Sequence, residues 1–285
     1  MKLCRFGDNR LGLVEENGIR DVSAALDVLP ALHYPLPCHD PLIASLDRVL
    51  ARARDIAAQS PLLPPDQAVL LSPVASPGKI IAAPVNYSKH LQEVLDDRNL
   101  HHDNQINHIQ RAGLFLKAAS SLVGAGQGVA LRKLDRRNDH EVELAVVIGK
   151  RADNVPRERA LDYVAGYGIG LDITIRGPEE RSLRKSPDTY TVLGPWLVTA
   201  DELPDPAGLG LQISVNGQLR QKSNTSDLIM DVPQLIEFAS SFYTLHPGDI
   251  IITGTPEGVG PIAPGDVMSA SIDRIGSMQV RVRAA

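Results

Sequence analysis

The segment Asp139-His140-Glu141-Val142-Glu143-Leu144-Ala145-Val146-Val147-Ile148-Gly149 decides the reading of the fold. In an extended chain, residues two apart share one face and lie about 6.6 Å apart. Glu141 and Glu143 therefore project together. The continuation from Leu144 to Ile148 is apolar on both faces, which marks a strand covered on both sides. Two neighbouring carboxylates at the head of a buried strand are costly unless something neutralises them. A divalent cation does so, and an all-oxygen donor set selects Mg²⁺, Mn²⁺ or Ca²⁺ over zinc. Taken alone, a strand end whose glutamates reach solvent is the commoner reading of such a pair.

A third acid changes that balance. Val164-Ala165-Gly166-Tyr167-Gly168-Ile169-Gly170-Leu171-Asp172-Ile173-Thr174-Ile175-Arg176 is small and apolar around Asp172. Asp172 needs a partner, and the choice is Arg176 or a metal shared with Glu141 and Glu143. The glycines at 166, 168 and 170 do not make a dinucleotide loop, because the final spacing is wrong and no helix pattern follows.

Further polar groups cluster in three places. Asn86 or Ser88 is placed to cap a helix over residues 88–100, which sets His90 and Glu93 at i and i+3 on one face. A carboxylate holding an imidazole is a general-base arrangement. Next to it, the charged stretch 96–108 holds His101, His102 and His108 at irregular spacing, which reads as a solvated loop with an active-site lid as the alternative. Thr253-Gly254-Thr255-Pro256-Glu257-Gly258-Val259-Gly260 follows a strand pattern and offers N–H groups and hydroxyls to an anion, without the lysine of a phosphate loop. Lys185 is a candidate to neutralise a carboxylate or an enolate. No G-x-S-x-G elbow occurs, which disfavours a hydrolase triad.

Composition narrows the class. The chain has 285 residues, 43% hydrophobic and 22% charged, enough to bury a full core without metal or disulfide staples. The net charge of −5 and the lack of a basic stripe argue against nucleic acid or an anionic membrane as partner. Two cysteines, Cys4 and Cys38, and a start broken by charge read as a cytoplasmic protein with no signal peptide. No apolar run is long enough to span a membrane.

Glycine (23) and proline (21) are frequent enough to favour many short strands. Strands are expected over 2–6, 11–15, 19–22, 79–82, 113–117, 141–149, 192–199, 211–216, 249–253 and 278–282. Helices are expected over 41–58, 88–100, 157–163 and 232–242, and Asn216-Gly217 reads as a hairpin turn. Strands dominate without alternating regularly with helices, so the fold class is β-rich α+β, a roll or sandwich. The stiff Ser60-Pro61-Leu62-Leu63-Pro64-Pro65 stretch divides a small accessory domain, 1–70, from a catalytic domain, 71–285.

As a set, these segments resemble the fumarylacetoacetate hydrolase superfamily. The matching residues are Asn86-Tyr87-x-x-His90-x-x-Glu93, Phe115-Leu116-Lys117-x-x-Ser120, Glu141-x-Glu143 with its apolar run, and Asp162-Tyr163-Val164-Ala165-Gly166-Tyr167. Lys185-Ser186 before Leu193-Gly194-Pro195-Trp196, and Thr253-Gly254-Thr255-Pro256-x-Gly258-Val259-Gly260, complete the match. The resemblance covers about residues 75–285, and the beginning of the chain resembles the small N-terminal domain of longer bacterial members. Ala83-Pro84-Val85 and Ala118-Ala119 depart from the usual family pattern at the pocket rim.

The resemblance implies a β-sandwich roll, a homodimer, and Mg²⁺ or Mn²⁺ held by Glu141, Glu143 and Asp172. It further implies that His90 and Glu93 activate water on a helix that orders as a lid, and that Lys185 partners negative charge on the substrate. Gln221, Thr255 and Gly254 would bind substrate on its carboxylate side. The implied reaction is hydrolysis of a C–C bond in a 2,4-diketo acid, an acylpyruvate or a 2,4-diketo-3-deoxy-sugar acid, giving pyruvate and a carboxylic acid. Oxaloacetate decarboxylation and hydroxymuconate-type isomerisation are the alternatives on the same site.

Overall fold

Within the Glu141–Gly149 run, Val142–Ile148 forms a strand, and it lies inside the largest sheet among the described residues. The computed structural model describes residues 1–97, 100 and 109–285. The first part of the chain supplies β1 (Lys2–Phe6), β2 (Arg10–Glu15), β3 (Gly18–Asp21), β4 (Leu62–Leu63) and β5 (Leu70–Leu71). There follow β6 (Ile80–Ala82), β7 (Phe115–Lys117), β8 (Leu122–Val123), β9 (Val129–Leu131), β10 (Asn138–His140), β11 (Val142–Ile148), β12 (Val164–Asp172) and β13 (Thr174–Ile175). The last third contains β14 (Thr191–Thr199), β15 (Gly210–Val215), β16 (Gln218–Asn224), β17 (Ile250–Ile252), β18 (Gly260–Pro261), β19 (Val267–Ile272) and β20 (Gly276–Ala284). Helices are short: α1 (Pro41–Ala44), α2 (Leu46–Ala57), α3 (Ser88–Asp96), α4 (Ile109–Ala112), α5 (Arg181–Lys185) and α6 (Val232–Phe242).

Three sheets result. The twelve-stranded sheet runs β4-β3-β2-β1-β14-β12-β11-β17-β6-β7, with β5 added on β1 and β8 on β14. A five-stranded sheet, β16-β15-β19-β20-β9, and a three-stranded one, β13-β10-β18, complete the β structure. This β-rich arrangement with few helices matches the expected class. Residues 1–70 gather a hydrophobic cluster of their own around Leu3, Leu11, Val22, Val49 and Leu50. They are nonetheless joined to the rest through one continuous sheet, because β1 pairs antiparallel with β14.

Strand β11 is apolar on both faces for a physical reason. Val142, Leu144, Val146 and Ile148 point into the main core. Ala145 and Val147 point the other way, into a second cluster with Ile80, Ala82, Ile250 and Ile252. Glu141 and Glu143 share the parity of Ala145, so they head this second face. Strand β12 is buried along its whole length and pairs with β11 so that Glu143 faces Gly170 and Val142 faces Leu171. One step further the Asp172 N–H donates to the Glu141 carbonyl at 2.9 Å, which puts Asp172 opposite Glu141 and on its face.

Several local expectations are corrected. The helix over 41–58 is two helices, since Ser45 leaves the helical conformation (φ −112°, ψ 17°) between α1 and α2. The turn at 157–163 is a 3-10 helix. Asn86 caps nothing: its amide donates to Met230 O and Thr253 O, and α3 starts at Tyr87 without a side-chain cap. The hairpin turn is found, with Asn216 and Gly217 at φ 51° and 80°. Among the described residues, no helix is long and apolar enough to cross a membrane.

Candidate active site

Pairing of β11 with β12 brings one oxygen each of Glu141, Glu143 and Asp172 within 4.8 Å of one another, all three residues buried. Positive charge surrounds them. Lys185, at the end of α5, spends its three N–H donors on Glu141 Oε2 (2.7 Å), Asp172 Oδ2 (2.7 Å) and Thr174 Oγ1 (2.6 Å). Lys117, from β7, donates to Asp172 Oδ1 and, at 2.8 Å, to the Tyr190 carbonyl. Arg176 does not pair with Asp172. Its guanidinium bonds Asp139 Oδ2 (2.7 Å) and Glu141 Oε1 (2.8 Å) instead.

These partners are shared unequally. Burial alone would raise the Glu141 pKa, but Lys185, then Arg176 and His90, overcome it and hold the carboxyl far below its usual range. Glu143 goes the other way. Burial, with Asp172 and Glu141 alongside, pushes it well above the carboxylate range, and its one strong partner is the Gly254 N–H at 2.5 Å. Among the described residues Glu143 has no cation within ion-pair distance. An oxygen-only triad with one under-compensated carboxylate fits a hard divalent cation, which would neutralise all three at once.

His90 and Glu93 are also brought together. His90 Nδ1 lies 2.8 Å from Glu93 Oε2 at i and i+3 on α3, and Glu93 Oε1 accepts the Gly258 N–H at 2.9 Å. His90 is buried, and Glu93 is bonded to the same Thr253–Gly260 turn whose Gly254 N–H holds Glu143, which brings α3 beside the triad. With Nδ1–H donated to a carboxylate, Nε2 carries the lone pair and is the basic atom.

The substrate-side residues are arranged differently from the expectation. The amide oxygen of Gln221 accepts from Val142 N (3.1 Å) and His140 Nδ1 (3.2 Å). Its nitrogen donates to Thr255 Oγ1 (2.8 Å) and Pro256 O (2.7 Å). Two donors and two acceptor positions are thus all used inside the protein. The Thr255 hydroxyl donates to Val142 O at 2.9 Å. Gln221, Thr255 and Gly254 therefore tie the head of β11 to the Thr253–Gly260 turn, and Gln221 has no amide position left for a ligand.

Some functional groups escaped the sequence reading. Lys117 was visible as a lone cation in the Phe115-Leu116-Lys117 strand pattern, a position that demands a buried anion. Asp139 and Thr174 carried no comparable signal, because Asp139 meets Arg176, and Thr174 meets Glu141 and Lys185, only in the fold. His101, His102 and His108, and with them most of the stretch 96–108 to which the lid reading applied, lie outside the described residues.

Fold and site together define a β-rich scaffold with an acidic, oxygen-only triad able to hold a cation beside a hydrogen-bonded His90–Glu93 pair. Residues 79–283 match the family model described as "Fumarylacetoacetate (FAA) hydrolase C-terminal", and the chain belongs to the fumarylacetoacetate hydrolase family. It is 61% identical, over all of both chains, to maleylpyruvate hydrolase of Aquipseudomonas alcaligenes. It is 36% identical to 2,4-didehydro-3-deoxy-L-rhamnonate hydrolase of Sphingomonas sp. SKA58, over 99% of this chain and 96% of that one. A crystal structure of maleylpyruvate hydrolase from Sphingobium sp. SYK-6, in complex with manganese(II) ion and pyruvate, matches all of both chains with a TM-score of 0.85 at 40% identity.

Proposed function

We propose that the protein is an acylpyruvate hydrolase that cleaves the C3–C4 bond of a 2,4-diketo acid, releasing pyruvate and a carboxylic acid. The observation that carries this reading is the His90–Glu93 pair, held by Gly258 and facing the buried triad. The relatives support it, since all three are named as hydrolases and one of them holds manganese and pyruvate. A Mg²⁺ or Mn²⁺ ion held by Glu141, Glu143 and Asp172 would supply Lewis acidity to the oxygens of the diketo acid.

The chain's own groups account for the proton movements. His90 Nε2 takes a proton from water, while Glu93 stabilises the resulting imidazolium through Nδ1–H. The oxygen of that water adds to C4, and collapse breaks C3–C4 with its electron pair left on the pyruvate enolate. The proton returns to C3 from the imidazolium. Lys185, with Lys117 behind it, keeps positive charge where enolate charge develops. Gln221 and Thr255 position the turn that carries Gly254 and Gly258 and so fix Glu143 and Glu93.

Residues 71–285 are read as the catalytic domain and 1–70 as an accessory domain, whose described side chains make no bond to the triad. Two free cysteines support a cytoplasmic setting, and the family resemblance supports a homodimer. The test is pyruvate release from acylpyruvates and oxaloacetate, with Mn²⁺ and with chelator. Metal-dependent cleavage of an acylpyruvate far above oxaloacetate supports the reading. Turnover of oxaloacetate alone replaces it with a decarboxylase.

A further inference from the structure

Among the described residues, one cation beside the site has neither an anion nor a hydrogen-bond acceptor. The others are all engaged: Lys117 with Asp172, Lys185 with Glu141 and Asp172, Arg176 with Asp139 and Glu141, and Arg184 with the carbonyls of Glu179 and Ile175. Arg181 is half-buried and, among the described residues, makes no hydrogen bond and meets no carboxylate within ion-pair distance. Its one specific contact is with the Phe115 ring, whose centre lies 5.4 Å from the guanidinium carbon.

That ring fixes the direction in which Arg181 acts. Lys185 Nζ is 5.7 Å from the same ring centre, and Arg181 and Lys185 stand at i and i+4 on α5, hence on one face. On β7, Phe115 is two residues from Lys117 and shares its face, and Lys117 reaches Asp172. Phe115 thus lies against both the guanidinium and Lys185, the lysine that reaches the triad. Burial is the largest influence on Arg181 and lowers its pKa, while the charges of Glu180, then Glu141 and Asp172, act against it. A desolvated, unpaired guanidinium is costly to a folded protein, and the cost is recovered when a carboxylate docks on it.

We propose that Arg181 is the specificity-determining residue of the site, binding a second, terminal carboxylate on the acyl part of the substrate. This rests on the acylpyruvate reading: the keto-acid end lies at the triad and the acyl end runs along Phe115 to the guanidinium. Its planar fork pairs with a carboxylate through two parallel N–H bonds, which an ammonium cannot reproduce. The substrate class is then a dicarboxylic acylpyruvate, and acyl groups ending in a methyl or hydroxyl are disfavoured because they leave the guanidinium unpaired.

The test compares two substrates in the full-length protein with Mn²⁺: maleylpyruvate, which ends in a carboxylate, and acetylpyruvate, which ends in a methyl group. The wild type should prefer the diacid in kcat/KM. Arg181→Met keeps the packing on Phe115 but removes the charge, and should lower that preference about 10- to 100-fold, chiefly through KM for the diacid. Arg181→Lys should restore only part of it. A wild type with no preference for the diacid overturns the assignment, and so does an Arg181→Met variant that loses both activities in equal proportion. Both outcomes leave the hydrolase reading intact. Cleavage of neither substrate by the wild type overturns the hydrolase reading and this assignment with it.

Discussion

The backbone N–H of Gly258 donates to Glu93 Oε1 at 2.9 Å, tying the helix that carries the base to a turn 165 residues away in sequence. The other Glu93 oxygen holds His90. The His90–Glu93 pair is therefore oriented by the Thr253–Gly260 turn as well as by its own helix, and that turn also holds Glu143 through Gly254.

Gly258 has φ +93°, and a Cβ there would collide with the Arg220 carbonyl. Gly258→Ala should therefore shift the turn and loosen Glu93. We expect a stability loss of about 1–3 kcal/mol and a fall in kcat of at least about tenfold. Unfolding midpoints and steady-state kinetics on the same preparation check both. An unchanged kcat would show that Gly258 does not orient the base.

Glu93→Gln keeps the shape but removes the carboxylate that supports the imidazolium. Hydrolysis should drop about 10²- to 10⁴-fold, the usual worth of general-base catalysis. Metal affinity should be unaffected, as Glu93 lies outside the triad. Calorimetric titration with Mn²⁺ alongside the kinetics separates the two effects, and undiminished turnover would point to a decarboxylase or isomerase.

Gln221→Leu should destabilise the protein in the absence of any substrate. It leaves Val142 N and Pro256 O, both deep in the protein, without their partner, at about 1–3 kcal/mol each. Chemical denaturation with and without a bound keto acid checks this. Wild-type stability combined with a raised KM would instead restore Gln221 to direct substrate binding.

Burial pushes the Cys4 thiol up from 9.0 to about 12, whereas Cys38 is exposed. The folded state thus retains the Cys4 proton more tightly than the unfolded state. The associated stability is complete below about pH 9 and is lost as pH rises from 9 to 12, at no more than about 1.4 kcal/mol per pH unit. Comparing wild type with Cys4→Ala over that window isolates the effect from other titrating groups. One thiol should react rapidly with a thiol reagent and the second only on unfolding. Two fast thiols, or identical pH slopes, would contradict the burial of Cys4.

The parts legible in sequence were those set by local periodicity. Leu144–Ile148 declared a doubly buried strand, and the parity of Glu141 and Glu143 placed both on one face. Val164–Asp172 was not assigned as a strand, because glycines at 166, 168 and 170 erase β-propensity. It lies at the centre of the main sheet all the same, and its register alone sets Asp172 opposite Glu141. The prolines at 61, 64 and 65 marked a division that says nothing of the β1–β14 pairing across it. Which arginine or lysine meets which acid was likewise hidden: Arg176 was the nearest partner for Asp172 in sequence, and the fold gives that place to Lys117 and Lys185.

The most direct test of the central claim is pyruvate release from maleylpyruvate by wild type, Glu141→Ala and Asp172→Ala, each in chelator and after adding back Mn²⁺. The account predicts turnover by the wild type only with metal, and none by either folded variant under any condition. Full activity of either variant with Mn²⁺, or wild-type activity unaffected by chelator, would contradict it.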